Sequence, residues 1–294
     1  MNKILITGAN GQLGNELRLI YGDEQAIFTD VEDLDITDSK AVKAFFNSNS
    51  ISVCINAAAY TAVDKAESEQ ILAGKINTDG PQNLAKACHE QDAMLVQVST
   101  DFVFDGEAFE PYRESDPIRP LGVYGMTKAE GESRALQSNA STIVIRTSWL
   151  YSSHGNNFMK TMFRLGAEKE ELKVVEDQHG VPTWARDLAN AIAVLVSQFE
   201  EEALEEADFG VYHFSNAGQT TWSGFASQIM KFGNLPCKVT GISTKEYPTP
   251  AKRPKWSVLD CRKIVSRFEV NRPSWEESLE ACMKEYAILI ESKA

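Results

Sequence analysis

The chain has 294 residues, 43% of them hydrophobic and 24% charged, the balance of an ordinary globular protein with a substantial core. A net charge of −13 argues against a nucleic-acid-binding surface, which needs a basic face, but leaves room for a small phosphate-bearing ligand held at a helix N-terminus. No window approaches the roughly 18 apolar residues of a membrane span, and the scattered cysteines and histidines show neither a disulfide framework nor metal-ligand spacing.

Lys3–Thr7 reads as a strand at the start of the chain, with no basic-then-apolar leader before it. With its free thiols, the chain is expected to be cytoplasmic and to bind no membrane. Gly8-Ala9-Asn10-Gly11-Gln12-Leu13-Gly14 follows the strand and opens a helix over Gln12–Ile20. That context suits a dinucleotide, because glycines allow a tight turn and bring a pyrophosphate close to the helix N-terminus. Gly8, Asn10, Gly11, Gln12, Leu13 and Gly14 are therefore candidate cofactor contacts. The G-x-x-G-x-x-G spacing departs from G-x-G-x-x-G, and a tight turn without a ligand is the alternative.

A second strand, Ala26–Thr29, ends at Asp30. An acid there can accept hydrogen bonds from ribose hydroxyls and disfavours a 2′-phosphate, so NADH is at least accepted alongside NADPH; a cap or turn role is the alternative. Asp35 and Ile36 are candidates for the adenine edge, or a plain turn. A third strand, Val53–Asn56, runs into Ala57, Ala58 and Ala59, whose small side chains would let a cofactor lie close. Helices are expected over Ser39–Ser48, Glu67–Gly74, Asp79–Gln91 and Tyr124–Ser138, with further strands at Met94–Ser99 and Thr142–Thr147. The alternation implies an α/β fold of Rossmann type, a doubly wound parallel sheet with ligands beyond the carboxyl ends of its strands.

After Trp149 the pattern loosens. His154–Asn157 and Gln178–Thr183 read as loops, and Glu200–Glu206 as a solvated helix end. An apolar helix at Asp187–Phe199 and a strand at Val211–Phe214 suggest a return to the sheet. The expected organisation is a dinucleotide-binding domain of residues 1–150 with 184–215 returning to it. Residues 151–183 and 216–294 would form a smaller α/β substrate-binding lobe.

Thr100 and Asp101 end the fourth strand, and Tyr124 and Lys128 lie one turn apart at the start of the following helix. Reducing a ketone by hydride creates an alkoxide that needs a proton from a positioned acid. A free Tyr, with pKa about 10, is a poor proton shuttle at neutral pH. A neighbouring cation would lower that pKa, and the Thr hydroxyl would orient the carbonyl. Chance alone supplies a Tyr-x-x-x-Lys, so the assignment rests on all three groups falling at the expected sheet edge.

The blocks GANGQLG, NAAAYTAVDKAE, STDFVFDG, VYGMTKAEGE, RTSWLY and GVPTWARDLA, with a weaker KRPKWSVLD, stand in the order found in one family. Together they make the chain resemble the extended short-chain dehydrogenase/reductases, and within them the dTDP-4-dehydrorhamnose reductases. The resemblance implies reduction of the 4-keto group of a dTDP-linked 6-deoxy sugar by NADPH or NADH, giving dTDP-L-rhamnose for surface polysaccharides. It implies Tyr124 and Lys128 as acid–base residues that also meet the cofactor, Thr100 as the carbonyl-orienting group, and substrate contacts at Thr100, Asp101 and Trp149. For Trp149 a core aromatic is the alternative. Asn157 and Arg253 are weaker candidates for the dTDP portion.

Some members bind Mg²⁺ between subunits through Glu side chains. Glu16 resembles one such position, but a solvent-facing helix Glu is the expectation, so no metal is indicated; a homodimer stays open. Phe102 departs from the family's usual Tyr. Related 4,6-dehydratases carry a Glu at that position, and Phe cannot exchange a proton, which argues against dehydration. A different sugar-nucleotide reductase or epimerase is an alternative, as is a non-catalytic regulatory subunit like that of methionine adenosyltransferase.

Overall fold

A computed structural model describes residues 3–291. The chain runs β1 (Lys3–Thr7), α1 (Gln12–Gln25), β2 (Ala26–Thr29), α2 (Ser39–Ser48), β3 (Ile51–Asn56), α3 (Val63–Ala66) and α4 (Gln70–Gly74). A π turn over Lys75–Asp79 leads into α5 (Gly80–Glu90), β4 (Met94–Thr100), α6 (Val123–Ser138) and β5 (Thr142–Thr147). Then come β6 (Leu150–Tyr151), α7 (Phe158–Glu168), β7 (Glu171–Val175), β8 (His179–Gly180), β9 (Thr183–Trp184), α8 (Ala185–Glu200) and β10 (Gly210–His213). β11 (Thr220–Thr221), α9 (Trp222–Phe232), β12 (Lys238–Ile242), α10 (Arg262–Phe268) and α11 (Trp275–Glu291) follow. No helix among the described residues is long and apolar enough to cross a membrane.

Six strands form one parallel sheet in the order β10-β5-β4-β3-β1-β2. Their apolar runs are buried with little alternation, β5 along its whole length, because helices cover both faces. On one face Leu13 and Leu17 of α1 pack with Leu188, Ile192 and Leu195 of α8. On the other, Val42 and Phe46 of α2 pack with Leu84 and Cys88 of α5 and Ala135 of α6. The segment at 210–213 joins the sheet by pairing with β5. A second core gathers Tyr151, Met159, Leu172, Phe225, Ile229 and Leu279 from β6, α7, β7, α9 and α11.

The principal departures from the sequence expectations have local causes. The helix expected over Glu67–Gly74 is shortened to α4, with α3 an extra turn just before it, and α4 continues through the π turn into α5 without a gap. The Asn77 amide drives this by turning inward to pair both backbone groups of Tyr60, accepting from its N–H at 2.8 Å and donating to its carbonyl at 3.1 Å. α1 is broken by a kink at Gly22, whose φ of +61° and ψ of 175° are not helical, so its regular part stops close to the expected end at Ile20 and a short turn carries the chain to Gln25. The second lobe, left without assigned elements beyond its loops, holds three substantial helices and the parallel pair β7–β12.

The π turn seats α6 closely. A Cβ added at Gly131 would lie 2.0 Å from the Asn77 carbonyl oxygen, whereas one added at Gly74 meets nothing within 4 Å. Both glycines are helical, so propensity alone favours Ala at each by about 1 kcal/mol. We expect Gly74→Ala to be neutral or stabilising, and Gly131→Ala to cost about 1–3 kcal/mol through overpacking. Urea unfolding midpoints of the two variants check this contrast of sign.

Candidate active site

The carboxyl ends of the central strands open into a cleft of ≈ 850 Å³, walled by the sheet on one side and by Phe158, Trp222 and Arg253 on the other. The strand order reverses between β1 and β3, and the glycine turn lies at that point. Gly8 has φ +69°, and a Cβ there would sit 2.6 Å from the Ala58 backbone nitrogen, so glycine alone lets the turn press on the segment after β3. Gly11 caps α1 without a side-chain bond, and the first turn carries no acid, which leaves its N–H groups for an anion.

Gly8, Gly11, Gln12 and Leu13 line the cleft, as do Ala57, Ala58 and Ala59. Asn10 and Gly14 do not; they shape the turn. The Asn10 N–H donates to Asp30 Oδ2 at 3.0 Å, and a Cβ at Gly14 would strike the Gly8 carbonyl. Asp30, Asp35 and Ile36 line the same cleft, with no arginine beside them in the lining. The groove suits a dinucleotide, since its floor of glycine and alanine would be filled by larger side chains.

At the other end Thr100, Asp101, Tyr124, Lys128 and Trp149 line the same cleft. Thr100 donates to Asp101 Oδ1 at 3.0 Å and is hydrogen-bonded with the Tyr124 phenol. The Tyr124 ring packs edge-on against Phe102 at 5.5 Å. Burial pushes the phenol up to about 12, with the Thr100 bond opposing and Asp101 adding to the rise. The expectation of a lowered Tyr124 pKa is corrected. The ammonium is turned to the β4 backbone, donating to the Val98 carbonyl at 2.7 Å. Burial pulls Lys128 down to about 8, against the opposing charge of Glu132.

Trp149 lines the cleft in a left-handed conformation, φ +47°, unusual for a bulky residue. Its indole stacks on Trp222 at 3.7 Å, and Gly180 leaves the room for it, since a Cβ there would lie 2.5 Å from the ring. Trp222 is a lining residue that nothing in the sequence marked, because only the folded second lobe brings it to the cleft. Arg253 also lines the cleft, held by Asp64 through bonds of 2.9 and 2.7 Å. Asn157 stands outside it. Its side chain caps α7 by accepting from Lys160 N, and donates to Gln12 Oε1 at 2.9 Å.

Glu16 is not solvent-facing as expected: α1 packs on α8, and Glu16 is fully buried. His154 and Glu285 lie near it, with potential ligand atoms within 4.8 Å of one another. The Arg186 guanidinium already supplies the cation there, bonding Glu16 at 2.5 Å and Glu285 at 3.2 Å, while Ser152 donates to Glu16 at 2.6 Å. Two carboxylates meet one guanidinium, so the cluster keeps one net negative charge.

Asp101 is buried, and burial lifts its carboxyl to about 6 against hydrogen bonds from Ser257 and Thr100. Its unfolded value is near 3.8, so the folded state binds the proton more tightly and loses stability as pH rises from about 4 to about 6. Above that range the full penalty is present. Asp101→Asn should therefore raise the urea midpoint at pH 8, with the gap to wild type closing towards pH 4.

Residues 1–288 match the family model described as the RmlD substrate binding domain. A dTDP-4-dehydrorhamnose reductase of Burkholderia thailandensis is 38% identical, covering 96% of this chain and 98% of its own length. A crystal structure of a dTDP-4-dehydrorhamnose reductase from Clostridium acetobutylicum superposes with a TM-score of 0.90 at 45% identity, covering 97% of this chain and 99% of that one. One from Bacillus anthracis, described in complex with NADP, gives 0.89 at 39% identity, covering 97% and 100%. The chain belongs to the dTDP-4-dehydrorhamnose reductase family.

Proposed function

We propose that this protein reduces the 4-keto group of dTDP-4-dehydro-L-rhamnose to the alcohol, giving dTDP-L-rhamnose at the expense of NADPH or NADH. The observation that carries the reading is the meeting of Thr100, Tyr124 and Lys128 at one end of a cleft whose other end is a glycine–alanine groove on a helix N-terminus. The bound dihydronicotinamide supplies the hydride. Tyr124 delivers the proton to the carbonyl oxygen, and its raised pKa keeps the phenol protonated at neutral pH, as a donor must be. Thr100 orients that oxygen from β4. Lys128 holds the nicotinamide ribose and stabilises the phenolate as the proton leaves. Phe102 packs on the Tyr124 ring and has no proton to exchange, which favours simple reduction over elimination.

Residues 1–150 with 184–215 hold the cofactor in this reading, and 151–183 with 216–294 close over the sugar nucleotide. Trp149 presents its edge to the sugar, with Trp222 fixing the ring, and Arg253 faces the diphosphate. Asp30, with no cation beside it in the lining, lets NADH serve as well as NADPH. The enzyme acts in the cytoplasm, where its five buried thiols stay reduced.

Purified protein given verified dTDP-4-dehydro-L-rhamnose should consume NADPH or NADH and form dTDP-L-rhamnose. An absence of cofactor consumption would overturn the reading; an epimerase would return its cofactor unchanged, and a regulatory subunit would turn nothing over. Tyr124→Phe should lower kcat by about 10²–10⁴-fold while leaving cofactor binding within a few-fold.

A further inference from the structure

The loop between β6 and α7 does more than connect two elements of the second lobe. It crosses to the first turn of α1, where Gln12 is the first helical residue and lines the cleft. Asn157, at the end of that loop, places Nδ2 2.9 Å from Gln12 Oε1. The same nitrogen donates to the carbonyls of Ser152 at 2.7 Å and His154 at 3.3 Å. Gly155 crowds the stem of the glutamine, since a Cβ there would lie 3.1 Å from Gln12 Cγ. Among the described residues the Gln12 amide nitrogen has no partner.

A carboxamide has one arm that accepts and one that donates, and the two are alike in shape. Here the backbone decides between them. The Lys160 N–H can only donate, and it meets Asn157 Oδ1 at 3.0 Å. The Ser152 carbonyl can only accept, and it meets the other arm. Both fix Asn157 with its nitrogen towards Gln12, so Gln12 must answer with its oxygen. The N–H groups of Gln12 are the arm left over, at a helix N-terminus with no side-chain cap and no acid in its first turn. That is the polarity an anion requires, whereas a flipped amide would offer a phosphate another acceptor.

We propose that Asn157 is a positioning residue for the cofactor: it takes the oxygen of Gln12 and so leaves the N–H groups of that side chain to the dinucleotide diphosphate. A loop of the second lobe thereby completes a site otherwise built by the sheet. The inference rests on the glycine turn holding the diphosphate of NADPH or NADH, as in the reading above.

The test is a double-mutant cycle on NADPH affinity, measured by fluorescence without sugar nucleotide. Asn157→Ser keeps a capping oxygen for Lys160 but loses the arm to Gln12, and Gln12→Met keeps the stem but loses the amide. We expect Gln12→Met to weaken NADPH about tenfold and Asn157→Ser about three- to tenfold. In the Gln12→Met background, Asn157→Ser should add less than about twofold, because its route is gone. Gln12→Glu favours the helix by placing an acid in its first turn, yet turns an anion to the diphosphate. Its urea midpoint should be unchanged or higher while NADPH binds more weakly than to Gln12→Met. ADP-ribose, which carries the diphosphate, should follow NADPH, and adenosine should compete with it equally well in every variant. Additive losses in the double mutant, an Asn157→Ser protein that binds NADPH as wild type does, or a Gln12→Glu protein that binds it as well as Gln12→Met overturns the proposal. So does a loss shared by adenosine, which would mark a collapsed site, and so does a wild type that binds no NADPH. A wild type that binds NADPH but turns nothing over sinks the reductase reading and leaves this one standing.

Discussion

A single chain of hydrogen bonds ties three parallel strands together where β1 and β3 stop, and β4 runs on three residues further to Thr100. Thr7 donates to Asn56 Oδ1 at 2.6 Å, Asn56 to Gln97 Oε1 at 2.7 Å, and Gln97 to the Val98 carbonyl at 2.8 Å. The same carbonyl accepts from Lys128. Every member is buried, so losing one partner would strand another at about 1–3 kcal/mol. Each link is followed directly by a functional segment: the glycine turn after Thr7, the alanines after Asn56, and Thr100 and Asp101 after Val98. This tie across the strands thus holds the glycine turn, the alanines and the segment at Thr100 around one cleft.

The sheet could be read from the sequence because its signals are local. Lys3–Thr7 and Thr142–Thr147 are short apolar runs, and the helices between them carry a 3.6-residue period. The second lobe could not. Its β6, β8, β9 and β11 are two residues long, and β7 and β12 find each other across some sixty residues of intervening chain. The same holds within the site. Tyr124 and Lys128 share one helix turn and announce themselves, whereas Asp64 meets Arg253 across 189 residues. Glu16 shows the hazard plainly. An acid near the start of an amphipathic helix reads as solvated, and only Arg186, 170 residues away, makes it a buried anion.

The chemistry of Tyr124 and Lys128 also differs from its simplest form. A lysine beside a tyrosine suggests a lowered phenol pKa, yet here burial raises it and the ammonium is occupied by backbone. For a reduction the outcome is favourable. The donor must arrive protonated, and the alkoxide formed at the sugar is a stronger base than phenolate, so the transfer stays downhill. The demand on Lys128 is then confined to the moment when the phenolate forms, which makes its own charge state the sensitive quantity.

An acidic protein that binds an anionic dinucleotide and an anionic sugar nucleotide has to manage its cations sparingly. Its arginines near the cleft come with carboxylates: Arg146 with Glu132, Arg186 with Glu16, Arg253 with Asp64. Little net positive charge remains in the cleft, and the uncapped N-terminus of α1 is left to receive phosphate. The pairs are not equivalent. Arg253 and Asp64 are 26% and 39% exposed, and a pair of that kind contributes about 0–1 kcal/mol, so its guanidinium can exchange Asp64 for another oxyanion at little cost. Arg146 and Glu132 are almost wholly buried, and separating them would leave an uncompensated charge costing about 3–5 kcal/mol. One pair is built to be exchanged and the other to stay fixed, and the fixed one lies beneath the proton donor.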